Sequence, residues 1–130
     1  MLNQTLAQTA RNYSNFLAIT NTLNISKLQD LGENLAVYYM TQKIDQTKCN
    51  TLAKRFVHSW YEGVKYYNFT QGIFTPNSGF FTQLVWRATT QIGCGLAINN
   101  ENKVYGVAYY FPQGNILNKF KQNVLKEKLN

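Results

Sequence analysis

The sequence is poor in acids, in histidine and in cysteine. Its 130 residues hold six Asp and Glu, one histidine (His58) and two cysteines (Cys49 and Cys94). A structural zinc site takes four Cys or His ligands, and only three such residues exist. A self-contained zinc centre is nearly excluded. Two cysteines also fall short of the framework that staples small secreted domains; one bridge is possible, and free thiols fit the count better. No apolar run approaches the ~20 residues a membrane-crossing helix needs. No basic segment followed by an apolar stretch marks Met1 onward as a secretion signal.

What remains is apolar and basic. Hydrophobic residues make up 45% and aromatics 15%, against 15% charged, a balance that argues against disorder. At 130 residues and 15.0 kDa the chain has the size of one domain with a real core. Thirteen Lys and Arg leave a formal charge of +7, which favours anionic membranes or nucleic acid. The cations are scattered except for Lys119, Lys121, Lys126 and Lys128. With no RNP-like motif and no phosphate-cradling glycine loop, nucleic acid is not expected as a partner. Asn3, Asn12, Asn24 and Asn68 head N-x-Ser/Thr triplets, weak signals in so Asn- and Thr-rich a chain.

Periodicity divides the chain into helices first and strands late. Leu2, Leu6, Ala10, Tyr13 and Leu17 form a helical stripe. Leu35 to Met40 reads as a strand. Asp45 is placed to cap a second helix with Leu52, Phe56, Trp60 and Val64 as its buried stripe. Gly72, Pro76, Asn77 and Gly79 mark a loop, and Phe81 to Ala88 a short helix. Ile92, Cys94, Leu96 and Ile98 share one strand face, which makes Cys94 a small core residue; Gly93, Gly95 and Ala97 on the other face would let a helix or another strand come close. Asn99 to Lys103 is a turn into a return strand, Val104 to Phe111. The fold class is α+β.

Four segments in order resemble one family. Gly79-Phe-Phe-Thr-Gln-Leu-Val-Trp-Arg-Ala-Thr89 and Tyr109-Tyr-Phe-Pro-Gln-Gly-Asn-Ile116 are similar to the two signatures of the CAP superfamily (SCP domains), with Gly32-Glu-Asn-Leu-Ala36, Trp60-Tyr61 and Tyr67-Asn68-Phe69 before them. Ala108, where secreted members usually carry a cysteine, is closer to the Golgi-associated branch. The resemblance implies one CAP domain over 1–130, an α-β-α sandwich with a small antiparallel sheet. The family's first helix is missing from this stretch, so the domain is expected to be incomplete at its N-terminus. An extracellular or secretory-pathway location is implied by resemblance alone.

The family cleft holds two His and two Glu that bind a divalent ion in some members. Carried over, only Glu33 survives. The second Glu falls on Gly63, with Glu62 one place early and turned about 100° away on a helix; the signature His falls on Phe80, and no His lies between Asn21 and Gln29. A lone carboxylate is a weak ligand and has no partner for acid–base work. No metal, no cofactor and no enzymatic activity are expected. Glu33 is expected to accept backbone hydrogen bonds, and His58 to be a helix-surface residue, since the adjacent Ser59 points elsewhere.

The lipid-binding candidates are Tyr67, Phe69 and Phe74. Their spacing is similar to that of a loop which the resemblance associates with sterol binding, and flat rings pack well on a rigid sterol. A sterol, a fatty acid or an anionic membrane lipid is the expected partner. The alternatives are rings that merely anchor the loop, and a secreted protein-interaction module with no lipid ligand.

Overall fold

The computed structural model describes residues 1–26, 28–41 and 49–127. Helix α1 spans Gln4–Thr20. It starts two residues later than the apolar stripe because Asn3 caps it, its Oδ1 accepting from Leu6 N at 3.0 Å. Leu2 is therefore outside the helix, exposed, and bridges in parallel to Ile92. Leu6, Ala10 and Leu17 are buried as the stripe requires. The helix ends on Asn21 in the left-handed region, φ 55°, a conformation asparagine tolerates.

Strands β1 (Gly32–Tyr39), β2 (Gln91–Ile98) and β3 (Lys103–Phe111) form an antiparallel sheet in the order β1-β3-β2. β3 is central, with Gly32 opposite Tyr110 and Gln91 opposite Phe111. Tyr105, Val107 and Tyr109 on one face pack with Leu35, Ala97 and α1. Val104, Ala108 and Tyr110 on the other pack with Leu52, Phe56 and Trp60 of α2 (Cys49–Tyr61). That is the expected α+β sandwich. The Asp45 cap lies outside the described residues.

Glycines of β2 set the spacing of the α1 layer. A Cβ on Gly93 would fall 2.2 Å from Ala7 N, and one on Gly95 2.4 Å from Arg11 N. The small-residue face expected of this strand is where the backbone of α1 lies.

The opposite face of β2 corrects the reading of Cys94. It is exposed, and both cysteines are free thiols. Helix α2 sits over β3 and β1: Phe56 stacks on Tyr38 at 4.7 Å between ring centres, and Trp60 Nε1 donates to Leu35 O at 3.0 Å. Ile92 and Leu96 on the same face of β2 are partly buried against this cluster while Cys94 between them is exposed, so alternation gives its face but not its cover.

After α2 a 3₁₀ turn, Glu62–Tyr66, leads into the loop, and a second, Pro76–Ser78, into α3 (Gly79–Leu84). Helix α3 is shorter than Phe81 to Ala88 because Asn123 of α4 (Phe120–Asn123) captures Arg87 N at 2.9 Å and Ala88 N at 3.0 Å. Tyr67, Phe81, Trp86, Phe120 and Val124 make a third apolar cluster beneath the loop.

Candidate functional site

Strand β1 delivers Glu33 toward the segment after α1. Its carboxylate accepts from Ser26 N, 3.1 Å to Oε1 and 3.3 Å to Oε2, and from Ser26 Oγ. The expected backbone hydrogen bonds are present. Beside it the Tyr109 hydroxyl is buried with no partner of good geometry, and burial drives its pKa up.

The next residue, Asn34, points toward α3 instead: its Nδ2 donates to Phe80 O at 3.1 Å and to Tyr110 Oη at 3.1 Å. Phe80 is 48% exposed. Gly63 is buried, and a Cβ there would stand 3.0 Å from both Asn77 O and Phe81 Cβ. Glu62 faces solvent, paired with His58 Nε2 at 3.1 Å and Lys65 Nζ at 3.2 Å. Among the described residues no three His, Cys, Asp or Glu gather as a donor set. These residues do not fit a divalent ion. The carboxylates face different partners, and the place a second Glu would occupy is filled by the close approach of Gly63 to α3.

The three aromatic candidates do not share one surface. Tyr67 is buried, set edge-on to Phe69 with centroids 4.9 Å apart and near Phe81 at 6.1 Å. Phe69 is half-buried in the same cluster. Phe74 is 41% exposed, resting on Phe120 at 5.8 Å. The loop between them is held locally. Asn68 Oδ1 accepts from Thr70 N at 2.9 Å and Gln71 N at 3.0 Å, and Gly72, at φ 63°, donates to Asn68 O at 2.9 Å.

Two rings thus hold a loop that presents the third. Phe74, with Ile73, Leu117 and Lys121, lines an open groove of about 350 Å³. Sequence reasoning missed Ile73, Leu117 and Lys121, because no local pattern joins the 71–74 loop to the 117–122 segment.

Among the described residues the buried Tyr67 hydroxyl has no hydrogen-bond partner, and burial raises its pKa. Tyr67→Phe removes that orphan at almost no change of shape. It is expected to stabilise the chain by about 1 kcal/mol, a rise of roughly 4 °C in melting temperature. Thermal denaturation checks this; a fall of that size would show that the hydroxyl has a partner.

A family model described as "CAP: Cysteine-rich secretory protein family" matches residues 1–111. The chain belongs to the CAP family. It is 38% identical over 128 residues to human Golgi-associated plant pathogenesis-related protein 1, covering 95% of this chain and 77% of that protein. It is 31% identical over 122 residues to Protein PRY2 of Saccharomyces cerevisiae, covering 93% of this chain but only 33% of the yeast protein. The CAP stretch thus spans about a third of that relative. Among solved structures, BmVAL-1 superposes with a TM-score of 0.77 at 24% identity, over 90% of this chain and 60% of that one, a likeness of fold. The three-stranded sheet between α1 and α2 thus has the fold of CAP proteins.

Proposed function

We propose that this chain is a catalytically inactive CAP module that binds a lipid, a sterol first among lipids, through the 67–74 loop. One observation carries the reading. An apolar ring, Phe74, and its neighbour Ile73 (58% exposed) stand beside an open groove on a loop that Tyr67 and Phe69 anchor from beneath. Exposed apolar groups on a held scaffold bind a rigid apolar ligand with little ordering to offset. Inactivity is supported by the cleft, where Glu33 is engaged by Ser26 and the hydroxyl beside it, on Tyr109, has its pKa driven up by burial. The names of the relatives, Golgi-associated and secretory, support a place in the secretory pathway or outside the cell.

The test is capture of labelled cholesterol by the purified protein. Phe74→Ala removes a ring whose full burial is worth about 1.5–3 kcal/mol, so affinity is expected to fall roughly 10- to 100-fold. The melting temperature should stay within a few degrees, as the ring is already partly in water. Equal capture by wild type and variant would remove the loop from the site.

A further inference from the structure

The groove beside Phe74 has a second attribute besides its apolar lining. Leu117, 74% exposed, faces it from the segment before α4 together with Ile73 and Phe74. These three belong to two separate stretches of chain, both fastened to the same cluster: Phe74 on Phe120, and Phe120 edge-on to Trp86 at 5.1 Å. Lys121 lines the same groove, its stem lying against Gly72, where a Cβ would fall 2.4 Å from Lys121 Cγ. Lys119 is exposed two residues before it. Among the described residues no carboxylate lines the groove.

Apolar tips bordered by lysines, with no acid among them, complement one kind of surface. The geometry points to the face formed by Ile73, Phe74 and Leu117 with Lys119 and Lys121 as a docking site for an anionic bilayer, the apolar side chains entering the interface and the ammonium groups meeting headgroup phosphates and carboxylates. Lysine stems lie along apolar surface while their charges stay at headgroup level, and each cation near an anionic leaflet strengthens adsorption severalfold. The net charge of +7 draws the protein to such a membrane, and this face gives the orientation. The inference rests on the reading of the loop as lipid-facing. It adds that the lipid is met in a membrane and that charge is part of the recognition.

Vesicle co-sedimentation tests it without sterol. Wild type is expected to bind phosphatidylcholine vesicles containing about a third phosphatidylserine and to leave pure phosphatidylcholine vesicles in the supernatant. Lys119→Gln with Lys121→Gln should lower partitioning about 30-fold. Arg11→Gln with Lys54→Gln removes equal charge from exposed sites on α1 and α2 and should lower it only a few-fold. Ile73→Ser with Leu117→Ser, both solvent-exposed and harmless to the core, should lower it at least tenfold. Three results would overturn the docking face: no binding to the anionic vesicles, equal losses for the two charge pairs, or full binding by the serine pair. Cholesterol capture from detergent solution, run alongside, separates the two readings. Capture without docking rejects only the membrane face, and docking without capture rejects only the sterol site.

Discussion

Gly95→Val is expected to lose about 4 kcal/mol or more and to lower the melting temperature by at least roughly 15 °C. The reason is what stands opposite. A Cβ at this position would be 2.4 Å from Arg11 N and 2.6 Å from Ala10 C and Arg11 Cα, all main-chain atoms of a seventeen-residue helix. A flexible side chain could swing aside, but a helix backbone can only move as a body. Lifting α1 opens contacts to Ala97, Tyr105 and Val107 along its length, and close-packed interiors do not absorb such gaps. A loss of that size takes much of the 5–15 kcal/mol typical of a folded domain, so poor solubility is also expected. Cys94→Val, one residue away and exposed, is the matched control. Its side chain stands on the open face of β2, where a β-branched residue suits a strand, and a change within about 0.5 kcal/mol is expected. Circular dichroism melting of the pair decides: similar curves would mean that α1 does not rest on β2 as described.

The second large effect concerns the cleft. Gly63→Glu, which adds the second carboxylate that the family resemblance implies for this position, is expected to destabilise by about 3 kcal/mol. The new Cβ meets Asn77 O and Phe81 Cβ at 3.0 Å and Ser78 Cα at 3.3 Å, and the rest of the side chain must bring a charge into a buried site. Adding Phe80→His should not rescue a metal site, because the Glu33 carboxylate remains bound to Ser26. Denaturant unfolding of the single variant and zinc calorimetry of the double variant check both halves. A stable double variant with micromolar zinc affinity would show the cleft to be open.

How much of this could be read from residues alone differs by the range of the interaction. The stripe of α2 and the two faces of β2 are set by local periodicity: Leu52, Phe56 and Trp60 are buried as read, whereas Val64 lies past the end of α2 in the 3₁₀ turn and is only partly buried. Alternation cannot tell where cover ends, hence the error at Cys94. Nor can it show that β1 joins the far edge of β3, so that Leu35 and Val107 lie opposite each other, since that pairing depends on chain closure over many residues. The cleft was half legible. That Gly63 and Phe80 lack donor atoms is plain from their identities, whereas Ser26 holding Glu33 and α3 closing over Gly63 needed coordinates. The aromatic spacing of Tyr67, Phe69 and Phe74 picks out one loop but does not sort its buried rings from the exposed one. That division follows from Phe81 and Phe120, which lie far along the chain.

The central claim is a lipid site on a CAP scaffold, separate from a cleft without a metal. Saturation binding of labelled cholesterol to the wild-type protein, measured in excess chelator and again with added zinc, tests it most directly. The expected result is saturable binding with the same affinity in both conditions. No saturable binding, or binding that zinc restores and chelator abolishes, would contradict it.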